Sequence, residues 1–173
     1  YKMFHVLFGG LKGGLAIGTM FMMVAISAMN GLSVAGMAIG ATIALPEMLK
    51  RNYDKRMITG VVQAGSSLGI LIPPSVVMVL YGMIARQPVS KLWMAGILPG
   101  LLMASLFLIY IYVRCKLQPE LGPPLKKEER EVSTIEKIRL LKAGIIPFLI
   151  FFFMTGLFLM GIASLVECSA VGA

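Results

Sequence analysis

Two short polar interruptions sit inside long apolar runs of this chain, and they are where chemistry can occur. The first holds Ser27, Asn30, Gly31 and Ser33. The second reads Gly65-Ser66-Ser67-Leu68-Gly69, followed by Pro73-Pro74-Ser75. Serine and asparagine are poor helix-interior residues and good turn or cap residues. Two glycines and two prolines in one span break helical hydrogen bonding. Unwound backbone leaves carbonyl oxygens without partners, and such oxygens suit a hard cation such as sodium. Asn30 and Ser33 add side-chain oxygens to that set. Helices restarting after Ser33 and Pro74 aim positive dipole ends at the same place, which suits a carboxylate. The hydroxyls of Ser33, Ser66, Ser67 and Ser75 are the candidate contacts for that anion.

Enzyme chemistry is not expected. The chain has no HExxH, GxSxG or P-loop pattern and no paired acids within its apolar runs. Cys115 and Cys168 are too far apart in sequence for a metal or redox motif and read as two free thiols. His5 has no acidic, Cys or His neighbour that would make it a ligand, and reads as an interfacial side chain. The 14 methionines lie mainly in the apolar runs, where they serve as packing residues.

The elements that must position these residues are membrane helices. Hydrophobic residues make up 58% of the chain and charged ones 14%, and the charges fall in a few short stretches. A soluble domain of this length needs charge over most of its surface. Residues 13–46, 57–85, 92–113 and 143–166 carry no charged side chain. Each exceeds the roughly 20 residues that cross a hydrocarbon core of about 30 Å. The expected fold is therefore all-α and polytopic.

Residues 1–12 are expected to form an interfacial helix or arm. Residues 13–46 are too many for one simple crossing and few for two. Half-helices over 14–29 and 34–46, meeting at a polar tip, give a re-entrant hairpin; one long kinked helix is the alternative. Irregular backbone at that depth is tolerated only where it is buried in protein or lines a wet cavity. Residues 57–85 are expected to be a broken transmembrane helix, with Pro74 opening its second half. Residues 92–113 are an ordinary crossing with Trp93 at one edge and Tyr110 and Tyr112 at the other. Residues 114–142 form a solvated linker, and 143–173 a further crossing with its C-terminal extension. The spacings Gly36/Gly40 and Gly96/Gly100 read as helix-packing contacts.

The net charge of +8 does not point to nucleic acid. Its basic residues cluster between apolar runs, without an aromatic-interleaved basic face. If 13–46 returns to its own side, then 1–12, 47–56 and 114–142 share one face. That face holds all but Arg86 and Lys91 of the 16 Lys and Arg residues, which places it in the cytoplasm.

With these elements in view, the motifs resemble those of a known family. Residues 65–75, Gly-Ser-Ser-Leu-Gly-Ile-Leu-Ile-Pro-Pro-Ser, resemble the G-G-T-L-G-I-L-I-P-P-S signature of the large membrane subunit of TRAP transporters, the tripartite ATP-independent periplasmic transporters. Residues 45–54 are similar to that family's L-P-E-M-x-(K/R)-R-G-Y-D, and 95–100 to its A-G-I-x-P-G. The stretch 161–173 resembles G-I-A-T-P-T-E-A-A-A-V-G-A, with Ser164, Leu165, Val166 and Cys168 as departures around Glu167.

The resemblance implies an inverted-repeat fold, each half with a re-entrant hairpin and a broken helix. This chain would be the later part of the first half and the start of the second, a piece of a longer protein. It also implies sodium-driven import of carboxylates across the bacterial inner membrane. The implied partners are a small membrane subunit and a periplasmic substrate-binding protein, with membrane lipid around the helices. The sodium ligands carried over are Asn30 and Ser33 at the tip, with Gly69, Ile72 and Pro74 through backbone oxygens. Asn30 and Leu32 depart from the family's S-G-S-S tip; Asn30 keeps an oxygen, whereas Leu32 removes a hydroxyl. A sodium–anion symporter working without a binding protein, and an inactive membrane scaffold, are the alternative readings.

Overall fold

The computed structural model describes residue 8, residues 11–123, residues 149, 152 and 153, residues 155–164 and residue 167. The expected arm over 1–12 and the linker over 114–142 lie mostly outside these residues, as do His5 and Cys168. Among the described residues the regular elements are all helical. Five α-helices run α1 (Gly14–Asn30), α2 (Ser33–Lys50), α3 (Lys55–Ser67), α4 (Val76–Ala85) and α5 (Val89–Leu117). Short 3₁₀ turns cover Leu68–Ile70 and Pro119–Leu121.

Helix α1 is the centre of the packing. It has no charged residue, and Leu15, Ala16, Met20 and Met23 are buried along with Thr19 and Ser27. A helix buried nearly all round must be apolar nearly all round, which its sequence satisfies. Its start is tied to the other end of the chain segment. The Gly13 amide donates to the Gly122 carbonyl at 2.9 Å. Cβ atoms on Gly13 and Gly122 would lie 2.6 and 2.9 Å from the Cys115 sulfur, so both positions are close approaches around that buried thiol.

Helices α1 and α2 form an antiparallel hairpin. Gly36 lies against Ser27, Gly40 against Met23, and the Thr19 hydroxyl contacts the Met48 sulfur at 3.7 Å. These three pairs advance along one helix as they retreat along the other. Small residues on α2 let the two backbones approach closely. Helix α2 continues through Pro46 to Lys50, four residues beyond the 34–46 span expected for it. An Arg51–Glu47 ion pair, also bonded to the Glu47 carbonyl, secures that last turn.

Helix α3 starts at Asp54, whose side chain accepts hydrogen bonds from the amides of Arg56 and Met57 at 2.9 and 3.1 Å. This is an N-cap that satisfies donors no helical carbonyl can reach. The helix buries Met57, Ile58, Val61 and Val62 and leaves Thr59, Gly60 and Gln63 outside.

Helix α5 is 29 residues long, about 43 Å at 1.5 Å per residue, and has Pro99 in its interior. Among the described residues it is the one helix both long and apolar enough to cross a membrane. One stripe, Trp93, Gly96, Gly100, Ile111 and Cys115, faces the interior. Ala104, Phe107 and Leu108 are partly buried against the core, and much of the rest, including Leu98, Leu101, Leu102 and Ile109, is exposed. A row of exposed leucines of this length requires lipid or another protein surface against it. Trp93 packs edge-on against Phe158, with ring centroids 4.8 Å apart. Beyond that stretch, the Ser164 amide and hydroxyl both reach the Glu167 carboxylate at 2.7 Å, and the Glu167 amide returns to the Ser164 hydroxyl at 3.3 Å. This Ser-x-x-Glu pattern is a capping box. It gives Glu167, an acid outside the charged loops, a structural role.

Candidate functional site

The two polar interruptions meet. Helix α1 ends at Gly31, which takes the left-handed conformation at φ 63° and donates its amide to the Ser27 carbonyl at 2.8 Å. Leu32 is extended and α2 begins at Ser33. The Gly31 carbonyl accepts from the Val76 amide at 3.1 Å, so the hairpin tip is hydrogen-bonded to the first residue of α4. A Cβ on Gly31 would lie 2.9 Å from the Pro74 carbonyl oxygen. Glycine is needed here twice over, for its backbone conformation and for the approach.

The second interruption is narrower than its sequence suggests. Helix α3 runs through Gly65, Ser66 and Ser67, and the chain leaves α-helix only at Leu68. Gly65 stays helical because Met23 of α1 packs directly over it. The Ser66 hydroxyl donates to the Gln63 carbonyl at 3.0 Å and the Ser67 hydroxyl to the Ala64 carbonyl at 2.8 Å, so both hydrogens serve their own helix. Helix α4 starts at Val76 rather than at Pro74. Its N-cap is Ser75, whose hydroxyl oxygen accepts from the Met78 amide at 3.3 Å. The Ser75 carbonyl accepts from the indole Nε1 of Trp93 at 3.4 Å. The broken stretch therefore spans Leu68–Ser75, and α5 supports it. Cβ atoms on Gly96 and Gly100 would lie 2.5 Å from the Leu71 carbonyl oxygen and 2.9 Å from Ile72 Cγ1. The Gly96/Gly100 pair is a packing groove for the loop.

Of the sequence-derived residues, Asn30 is exposed and its amide nitrogen donates to the Ile26 carbonyl at 2.8 Å, which leaves Oδ1 for another partner. Ser33 is half-buried on the first turn of α2. Gly69 is buried against α1; a Cβ there would lie 2.7 Å from the Ser27 carbonyl oxygen. Ile72 and Pro74 are half-buried in the loop. Among the described residues, the carbonyls of Gly69, Ile72 and Pro74 accept none of the loop and turn backbone hydrogen bonds. Ser66 and Ser75 are fully buried, on the helical shoulders of the loop.

Sequence reasoning placed Ser27 at the interruption without giving it a role. It is fully buried, and its hydroxyl is the buried side-chain oxygen without a hydrogen-bond partner among the described residues. It sits where three backbones cross, between Gly36 of α2 and Gly69 of the loop. The available signal was a hydroxyl one turn before the tip, with glycines in both facing segments.

The donor set is made of neutral oxygens: hydroxyls, an amide and backbone carbonyls. No group of three His, Cys, Asp or Glu capable of holding a metal occurs among the described residues. Such a set fits a weakly charged hard cation, whose charge needs no carboxylate to balance it. The starts of α2 and α4 lie together at the tip, adding the positive ends of two helices.

A helical hairpin docked by its tip on an interrupted helix, beside a long exposed apolar helix, is an arrangement of the kind found in membrane transporters. A family model described as "Tripartite ATP-independent periplasmic transporter, DctM component" matches residues 1–173. The chain belongs to this family, whose characterised relatives are permease subunits rather than enzymes. It is 38% identical over 105 residues to the C4-dicarboxylate TRAP transporter large permease protein DctM of Pseudomonas aeruginosa, covering 61% of this chain and 25% of that protein. It is 37% identical over 106 residues to the ectoine/5-hydroxyectoine TRAP transporter large permease protein UehC of Ruegeria pomeroyi, covering 61% and 24%. The 2,3-diketo-L-gulonate TRAP transporter large permease protein YiaN of Escherichia coli is 32% identical over 104 residues, covering 60% and 24%. The chain spans about a quarter of the length of these relatives.

Proposed function

We propose that this chain is part of the large permease subunit of a sodium-coupled secondary transporter. That transporter imports small organic acid anions delivered by a periplasmic substrate-binding protein, and it works with a small membrane subunit in the bacterial inner membrane. The observation that carries the reading is the docking of the Gly31 tip on Pro74 and Val76, which joins two unwound segments and two helix starts. Asn30, Ser33 and the carbonyls of Gly69, Ile72 and Pro74 are the ligands for sodium. Ser33, Ser66, Ser67 and Ser75 are the hydroxyls nearest the path of a carboxylate; those of Ser66 and Ser67 donate to their own helix, whereas among the described residues the hydrogens of Ser33 and Ser75 are uncommitted. The clustering of Lys and Arg on one side supports a cytoplasmic face carrying Lys50, Arg51, Lys55, Arg56 and Arg114. It also supports a re-entrant α1–α2 hairpin that leaves by the face it entered. The printed names of the relatives, from C4-dicarboxylate to ectoine and 2,3-diketo-L-gulonate, support a permease whose exact cargo is chosen outside this segment.

The test uses the full-length permease reconstituted with its partners. Uptake of labelled carboxylates is measured with and without a sodium gradient, for native protein and for Asn30→Ala combined with Ser33→Ala. Sodium-driven uptake abolished in the folded double variant supports the site. Unchanged sodium-driven uptake moves the site elsewhere, uptake without the binding protein supports the independent symporter, and uptake indifferent to sodium overturns the coupling.

A further inference from the structure

A cleft lies away from the tip, between α3 and α5. It has a volume of about 850 Å³. Its walls are two rows of apolar side chains, from Met57 to Ala64 on α3 and from Leu106 to Ile111 on α5. At 1.5 Å per residue the row on α3 is about 10 Å long and the row on α5 about 8 Å. Arg56 and Arg114 stand at one end, on the side where both helices meet the charged loops. Both are exposed, and among the described residues neither guanidinium has an ion-pair or hydrogen-bond partner. Asp54 shares the rim, but its carboxylate is held by the first amides of α3. Tyr110 and Tyr112 mark the same level on α5, with the Lys116 ammonium 5.9 Å from the Tyr112 ring. Aromatic rings and basic side chains at one level of a membrane helix lie at the headgroup boundary. The floor is opened by Gly60, where an added Cβ would meet no atom within 4 Å.

One occupant matches all of these features. A phosphate at the rim satisfies two unpaired guanidiniums, and a hydrocarbon tail fills an apolar slot that water would occupy at a cost. A protein helix in the slot would cover the apolar rows and leave both arginines needing acidic partners. We propose that the α3–α5 cleft binds one anionic phospholipid of the cytoplasmic leaflet, its phosphate on Arg56 and Arg114 and an acyl chain over Gly60. Arginine suits this task because its planar fork binds phosphate oxygens in pairs.

The experiment is native mass spectrometry of the full-length permease complex, delipidated and then titrated with phosphatidylglycerol or phosphatidylcholine. Native protein is expected to retain one phosphatidylglycerol in preference to phosphatidylcholine. Each basic residue near an anionic membrane surface contributes about fivefold, so Arg56→Gln with Arg114→Gln reduces the preference by about thirtyfold. Arg56→Lys with Arg114→Lys keeps most of it. Gly60→Leu excludes both lipids from the site without lowering the melting temperature, because the new side chain points into open space and leucine favours a helix interior over glycine. Native protein without headgroup preference overturns the proposal, as does a glutamine pair that behaves like native or a Gly60→Leu variant with an unchanged lipid count. A cross-link placing a protein segment in the cleft of the lipid-loaded complex also overturns it.

Discussion

Gly31→Ala is the most informative single change at the tip. The position has φ 63°, where an L side chain costs about 1 to 2 kcal/mol. The new Cβ would lie 2.9 Å from the Pro74 carbonyl oxygen and 3.1 Å from the Val76 amide nitrogen. Those neighbours are backbone atoms fixed by α4 and by Trp93, so they cannot swing aside as a flexible side chain would. Overpacking of this kind costs about 1 to 3 kcal/mol. The lower sum, about 2 kcal/mol, lowers the population of the docked tip by up to about thirtyfold. If the docked tip is the sodium-competent state, apparent sodium affinity falls by the same factor. The assay is uptake by the full-length reconstituted transporter against sodium concentration. Half-saturation is expected to rise at least tenfold, with uptake recovering toward native at saturating sodium. Gly156→Ala is the control: its Cβ meets nothing, and alanine stabilises a helix interior by up to about 1 kcal/mol relative to glycine. Native sodium dependence in Gly31→Ala, with Gly156→Ala also native, would refute the argument that tip docking governs the ion site.

Two further changes address the crossing below the tip. Gly69→Ala places a Cβ 2.6 Å from Ser27 Cβ and 2.7 Å from the Ser27 carbonyl oxygen, so it should lower the melting temperature of the full-length protein by an amount equivalent to about 1 to 3 kcal/mol; a native melting temperature would show that α1 and the loop are not packed this closely. Ser27→Ala removes a buried hydroxyl that has no partner, so stability should hold or rise by up to about 1 kcal/mol. A clear loss of thermal stability in that variant would mean that the hydroxyl has a partner in the working membrane protein.

The helical class and the positions of both interruptions were legible because they depend on local chemistry. Long charge-free runs leave little choice but membrane helices, and Gly31 followed by Leu32 and Ser33 ends one helix and starts another. The edges were less legible because packing decides them. Gly65 reads as a breaker, yet Met23 lies against it and holds the helix straight through Ser67. Pro46 reads as an end, yet α2 continues past it to the Arg51–Glu47 pair. Pro74 reads as a helix start, but the cap is the next residue, Ser75. The role of Ser27 was hidden for the same reason. Its burial depends on two glycines, nine residues away in one case and far along the chain in the other, and no periodicity in α1 announces that crossing.

The contacts around the tip differ in strength, and the difference determines which seam can open. The α1–α2 hairpin is closed along its length by Gly36 on Ser27, Gly40 on Met23 and Thr19 on Met48. The base of the loop is locked to α1 through Gly69, and its middle rests in the Gly96/Gly100 groove of α5. Separating any of these surfaces uncovers packed backbone over several residues, and dispersion and burial are lost together. Among the described residues the tip itself is joined to α4 by a single hydrogen bond, Gly31 to Val76, with a net value of about 1 kcal/mol. Beside it Leu32 and Val34 are exposed rather than packed, at 43% and 70%. The tip–loop contact is therefore the weakest seam in the assembly. A cation bridging the Ser33 side and the Pro74 side of that seam would add several oxygen contacts to one hydrogen bond. Ion binding would then have its largest effect on the contact least able to hold itself closed.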